Sequence, residues 1–428
     1  MRNDSGMTKT VIANVPQGKI VGTHEGEVCR FSAIPYALAP VDSLRFCPPL
    51  PYRWHDHLDA TQIGSIPPQL PSRLSEAMGD FEAWQSEDCL HLTIWTPATD
   101  QRRRPVLVWL HGGAWQSGAG ALDWYSGARF AAREDIVVVC PNYRLGPLGW
   151  MTMPGSTANL GLLDQEAAID WTIDHIEAFG GDPENITVMG QSAGAMNIAC
   201  MLMRQPRFQR GILQSPSLGR GFRSLEKAHE IADIFLHAAG AMNLSEARQL
   251  PVSALLAAQR AEPVVQWLAD ENAQRSLFCP VADGQVLPKE PNQALKAAAG
   301  QVDVIVGYTQ DEMASFPGGG LNAASKALGD EIYGALSRQW ATDAMAQGRK
   351  AWSYQFNHRP NDVFGACHCI ELPFVFDTLE AFAEAPMLQG IQPEHAKRLV
   401  DDIQSSWGAF IREGNPGWAP WPNQKIFS

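Results

Sequence analysis

No stretch of the chain is apolar over the roughly 18 residues that a membrane helix needs. The longest apolar runs, such as Ile136 to Cys140, are only strand-sized. The opening residues, MRNDSGMTKTVIANVPQGKIVG, lack the apolar segment of an export signal behind their basic start, so the chain is expected to stay in the cytoplasm. No repeat period, low-complexity tract or block of like charge interrupts it. Basic residues are the minority, 33 Lys and Arg against 46 Asp and Glu, for a formal net charge of −13. Such a chain, without a basic stripe, is a poor binder of nucleic acid or of an anionic membrane and suits neutral or cationic small molecules. Cysteine is sparse and dispersed, at 29, 47, 89, 140, 200, 279, 367 and 369, a pattern of reduced thiols and not of a disulfide framework. With no Cys-x-x-Cys, His-Glu-x-x-His or nucleotide-binding loop, nothing calls for a metal or an organic cofactor. Oligomeric state leaves no mark in the sequence.

What is present is apolar residue in quantity: 45% of 428 residues, enough for a large core. The first hundred residues read as short strands and turns. Buried-strand candidates follow: the apolar runs Pro105–Leu110 and Ile136–Cys140, then the mainly apolar Ile186–Met189 and Val302–Gly307. Runs without alternation fit central strands of a parallel sheet covered on both faces. Helical patterns lie between them, notably Asn159 to Ala178 and Ala193 to Met203. The expectation is therefore an α/β fold with a mostly parallel central sheet flanked by helices. No Pro/Gly/Ser linker divides the chain, so residues 1–428 are read as one domain, with helical cap insertions at about 221–277 and 318–364.

Gly190-Gln191-Ser192-Ala193-Gly194 matches G-x-S-x-G and sits between an apolar strand and a helix of small residues. That context is what a nucleophile elbow requires: a turn too tight for bulk two residues either side of a serine held at a helix N-terminus. Upstream, His111-Gly112-Gly113-Ala114-Trp115 follows another core strand, and its glycines let backbone N–H groups approach a substrate closely. A histidine must come after the serine, with an acid between them. Of His229, His237, His358, His368 and His395, only His368 lies in a Gly- and Cys-containing loop, the others falling in charged segments. Asp283, Asp311 and Glu312 all remain candidates for the acid.

Many blocks, in order along nearly the whole chain, resemble the type-B carboxylesterases of the α/β-hydrolase superfamily, a family that includes cholinesterases and bacterial p-nitrobenzyl esterases. They include Phe31 to Ala37, Ser86-Glu-Asp-Cys-Leu90, Asn142-Tyr-Arg-Leu-Gly146, Asn159 to Gln165, Phe179-Gly-Gly-Asp-Pro183, Gln214-Ser215, Pro280 to Gly284 and Gly365 to Phe376. The resemblance implies an α/β-hydrolase fold with a reduced helical cap. It implies a triad of Ser192, Glu312 and His368, and oxyanion donors at Gly113, Ala114 and Ala193. It also implies ion pairs Arg45–Glu87 and Arg144–Asp164, a hydrogen-bonding Ser215 near the triad, and an acyl-pocket aromatic at Phe278. Departures from the family pattern are Gln191 where glutamate is usual, Ala195 in place of a second glycine, and Cys369 where glycine is common. Cys89 has no upstream partner between residues 48 and 88 and is expected to be a free thiol.

The expected activity is hydrolysis of neutral carboxylic esters through an acyl-enzyme, without a cofactor. The shortened stretch between Glu312 and His368 implies an open, shallow cleft walled by Trp115, Trp124 and Phe278. The rival readings are an amidase, carbamate hydrolase or lactonase using the same triad, and a catalytically silent binding protein.

Overall fold

A computed structural model describes residues 9–272 and 276–428 of the chain. Its spine is a large mixed sheet. The strands on its main path are β1 (Thr10–Val15), β2 (Gly18–Glu25), β3 (Val28–Pro35), β4 (His91–Thr96), β5 (Arg104–Leu110), β6 (Val137–Pro141), β7 (Gly181–Gln191), β8 (Arg210–Gln214), β9 (Asp303–Thr309), β10 (Ala351–Phe356) and β11 (Gln424–Phe427). They lie in the order β1-β2-β3-β4-β6-β5-β7-β8-β9-β10-β11. The pairs from β1 to β4, and β4 with β6, are antiparallel, and every pair from β6 to β11 is parallel.

The apolar runs are explained by two cores. Val106, Val108 and Leu110 face one, together with Val137, Val139, Ile186, Val188, Val304 and Val306. Leu107, Trp109, Val138, Met189, Ile212 and Ile305 face the other. Alternate side chains on a strand point to opposite faces, so a strand buried on both sides has no polar phase. The first face is covered by α1 (Leu160–His175) and α2 (Ala193–Leu202), with α3 (Leu225–Ala239) joining the same core, and the second by the long α5 (Pro393–Glu413), which contributes Leu399, Ile403, Trp407 and Phe410.

Residues 221–277 carry α3 and shorter helices at Leu244–Ala247, Val252–Ala258 and Glu262–Asn272. Within 318–364, the part from Ala335 to Phe356 differs from a cap. Its helix α4 (Ala335–Ala346) packs on β9 and β10 as the crossover between them, and β10 itself belongs to the central sheet. The buried face of α4, with Trp340, Ala341 and Ala344, explains why this helix joins the sheet. Among the described residues no helix is long and apolar enough to cross a membrane. All eight cysteines are free thiols, Cys89 included. The ion pairs Arg45–Glu87, at 2.5 Å, and Arg144–Asp164, at 2.6 Å, are both formed.

Candidate active site

Strand β7 ends at Gln191 and α2 begins at Ala193, so one residue, Ser192, makes the whole turn. Its φ of 57° and ψ of −118° are a conformation that L-residues rarely take, which costs on the order of 1–3 kcal/mol. The surroundings hold it there. The Ser192 N–H donates to the Gln214 carbonyl at 2.9 Å, tying the elbow to β8. A Cβ on Gly190 would lie 2.6 Å from the backbone of Gly194, and one on Gly194 would lie 2.0 Å from the Leu110 carbonyl oxygen. Both glycines of the motif are thus fixed by close backbone approach.

The loop after β5 approaches from the neighbouring strand. Gly113, Ala114 and Trp115 take φ of 115°, 53° and 61° in succession, curling the backbone against the elbow. A Cβ on Gly112 would sit 3.1 Å from Cβ of Ser192. His111 anchors this loop: it is fully buried, stacks on Tyr143 at 4.4 Å, and places Nδ1 2.7 Å from the Gly112 carbonyl oxygen. Burial pushes its pKa down to about 4, so it stays neutral. Ala193 opens α2, where first-turn N–H groups have no acceptor within the helix.

His368 and Glu312 come from loops beyond β10 and β9. Nδ1 of His368 lies 2.5 Å from Oε2 of Glu312, and both side chains are buried. The other carboxylate oxygen accepts from Ser215 Oγ at 2.6 Å and from the Thr309 N–H at 2.8 Å. Phe316 and Tyr333 flank the imidazole, with ring centroids at 5.2 and 4.8 Å. A ring nitrogen that close to a carboxylate carries the proton, leaving Nε2 as the acceptor. Facing Nε2 at 3.1 Å is the amide nitrogen of Gln191, while the Ser192 hydroxyl pairs with Ser217 Oγ at 3.3 Å.

The geometry separates the three acids. Asp283 accepts the N–H groups of Val286 and Leu287 in a local turn. Asp311 accepts the Ala366 N–H at 2.9 Å and faces Arg359 at 3.6 Å, holding the loop that carries His368. Only Glu312 meets the imidazole. Among the other histidines, His358 stacks on His395 at 4.3 Å, and His237 turns back onto its own helix.

Ser192, His368, Gly113 and Ala114 line one pocket of about 50 Å³, closed by Leu70 to Leu74, Gln116, Ser117, Phe316 and Cys369. Larger hollows, of about 500 Å³ beside Arg204 and about 630 Å³ beside α5, are bordered by none of the triad residues. The expected pocket residues stand elsewhere. Trp115 is fully buried, with its indole N–H donating to Asn197 at 2.9 Å, because the turn at positive φ swings the ring into the core. Phe278 packs edge-on against Phe235 in the same core. Trp124 stacks on Phe382. Ser215 is fully buried behind the triad, on Glu312.

Sequence reasoning missed Gln191 as a partner of His368, along with Ser217, Thr309 and Tyr143. It also missed Glu371, whose carboxyl accepts from Gln214 at 3.2 Å. Burial first, and then the negative charge of Glu312, push the Glu371 pKa up to about 8. The adjacency of Gln191 to the serine was the one available signal.

A family model described as the carboxylesterase family matches residues 9–323. The chain is 38% identical to a probable N-octanoylanthranilate hydrolase of Rhodococcus erythropolis, the match covering 97% of this chain and 95% of the relative. It is 35% identical to a para-nitrobenzyl esterase of Bacillus subtilis, over 95% and 90% of the two chains. A solved structure described as a PNB esterase superposes with a TM-score of 0.87 at 31% identity, covering 97% of this chain and 95% of the other.

Proposed function

This chain belongs to the carboxylesterase family and is a carboxylic-ester hydrolase, and on that premise we propose that Ser192, His368 and Glu312 carry out the hydrolysis through an acyl-enzyme. The observation that carries this reading is the line Ser215–Glu312–His368, ending in an acceptor nitrogen in the same pocket as a strained, pinned serine. His368 takes the hydroxyl proton as Ser192 attacks the ester carbonyl. Glu312 holds the imidazole in the working tautomer and stabilises its charged form. The N–H groups of Gly113, Ala114 and Ala193 receive the oxyanion, each such donor being worth about 3 kcal/mol. The alcohol departs with the proton from His368, and water then repeats the sequence on the acyl-enzyme.

The confined pocket, with Leu70, Leu74 and Phe316 among its walls, favours short acyl groups. Labelling by a fluorophosphonate tests the assignment. A stoichiometric adduct on Ser192 is expected, and an adduct on any other serine would overturn it. Rates on 4-nitrophenyl acetate and on the matched anilide measure the preference for ester over amide.

A further inference from the structure

Resting on that reading of the site, we propose that the substrate carries a carboxylate and that Arg73 is the residue that anchors it. The chain has 46 acidic residues, yet among the described residues none of them lines the pocket over Ser192, and the one permanently charged side chain there is Arg73. The Arg73 side chain is exposed and has no ion pair or hydrogen bond among the described residues. Several other arginines are held in ion pairs: Arg45 meets Glu87, Arg144 meets Asp164 and Arg223 meets Glu271.

A second cation stands behind the same pocket. Arg220 is buried, its guanidinium lying 5.4 Å over the ring of Phe316 and donating to the Tyr333 hydroxyl at 3.2 Å. Phe316 and Tyr333 are the two rings that flank His368. The two arginines feel each other. Crowding by protein atoms first, and then repulsion from Arg220, pull the Arg73 pKa below the ordinary arginine value, with Tyr333 opposing. Arginine nevertheless keeps its charge at any working pH.

Arg73 thus brings a guanidinium without an ion pair among the described residues to the pocket wall, where an anion would complete it. A carboxylate matches the guanidinium fork, and Ser72, Gln116 and Ser117 add polar groups along the same walls. The net charge of −13 argues for neutral substrates only at long range, because salt screens distant charges beyond about 8 Å. At contact distance the lining decides, and it is basic.

The carboxylate can sit on the acyl side or on the leaving group, and two substrate pairs distinguish these. The first is 4-nitrophenyl hydrogen glutarate against 4-nitrophenyl valerate; the second is 2-carboxyphenyl butanoate against phenyl butanoate. The quantity measured is the charged-to-neutral ratio of kcat/KM, which cancels any common effect of a substitution on folding or turnover. In at least one pair Arg73→Gln should lower this ratio about tenfold or more, with Arg73→Lys retaining part of it. The same wild-type ratio should fall with added salt. A ratio unchanged by Arg73→Gln in both pairs overturns the anchor. If Arg73→Gln fails to take up a fluorophosphonate, the wild-type salt series decides, a flat ratio again overturning it. Wild-type protein that cleaves no member of either pair overturns the serine-esterase reading, and the anchor with it.

Discussion

The amide nitrogen of Gln191 lies 3.1 Å from Nε2 of His368, in the position that the Ser192 hydroxyl must reach to hand over its proton. The hydroxyl meanwhile rests on Ser217 at 3.3 Å. Gln191 therefore marks Nε2 as the acceptor and yields it when the serine turns. A carboxylate in place of that amide would attract the imidazolium. Gln191→Glu is expected to move the acidic limb of the pH–rate profile upward by about one pH unit, since a nearby opposite charge favours the protonated ring. A pH series of kcat/KM checks this, and an unmoved limb would exclude any contact between residue 191 and the base.

Ser192→Ala should abolish turnover, by roughly a million-fold for loss of a triad nucleophile, without loss of stability. Ser192→Gly should be equally inactive and at least as stable, because glycine accepts the positive φ without the strain that serine bears. Thermal melts beside activity assays test both. A glycine variant that melts well below the alanine variant would contradict the strain argument.

Glu312→Gln is expected to slow hydrolysis far more than Asp283→Asn or Asp311→Asn. The amide cannot stabilise the imidazolium. Asp283 serves a turn, and Asp311 caps the Ala366 N–H, so their substitutions act on local stability. A crippling Asp283→Asn would mean that the acid is misassigned.

The pKa of Glu371 is raised in the folded protein to about 8, with the ordinary value at 4.5. The unfolded chain therefore loses this proton first, and the native state loses stability as pH climbs from about 4.5 to about 8. Glu371→Gln carries no proton to lose. Its melting temperature relative to wild type should rise across that window and level off above it. A difference that is constant with pH would show that Glu371 is already ionised in the folded state.

Phe316→Ala should shift preference toward longer acyl chains by removing a wall of the pocket, whereas Trp115→Phe should lower stability with little change in acyl preference. A series of 4-nitrophenyl esters of increasing length distinguishes the two. A shift with Trp115→Phe would return that ring to the pocket.

The strands and the nucleophile elbow were readable because each has a local signature. The apolar runs within β5, β6, β7 and β9 and the glycines around Ser192 mark them in any context. The acid was not separable on chemistry, since Asp311 and Glu312 are adjacent and only the fold decides which one turns inward. The pocket walls were misplaced because being aromatic and close to a motif does not give direction. Trp115 is rotated into the core by its own backbone, and Phe278 is claimed by Phe235. Arg73 sits in the irregular stretch between β3 and β4, where no periodicity assigns a side chain to a face. Helix α4 read as cap because its period gives no sign of what it packs on.

The order in which the triad is laid down along the chain bears on biosynthesis. Serine, glutamate and histidine come at 192, 312 and 368, and the histidine loop hangs from β10, a strand that among the described residues pairs with β9 and β11 alone. On the proposed roles, a nascent chain halted before residue 368 holds its nucleophile and its acid but no base. Hydrolytic activity should therefore appear late and abruptly during translation.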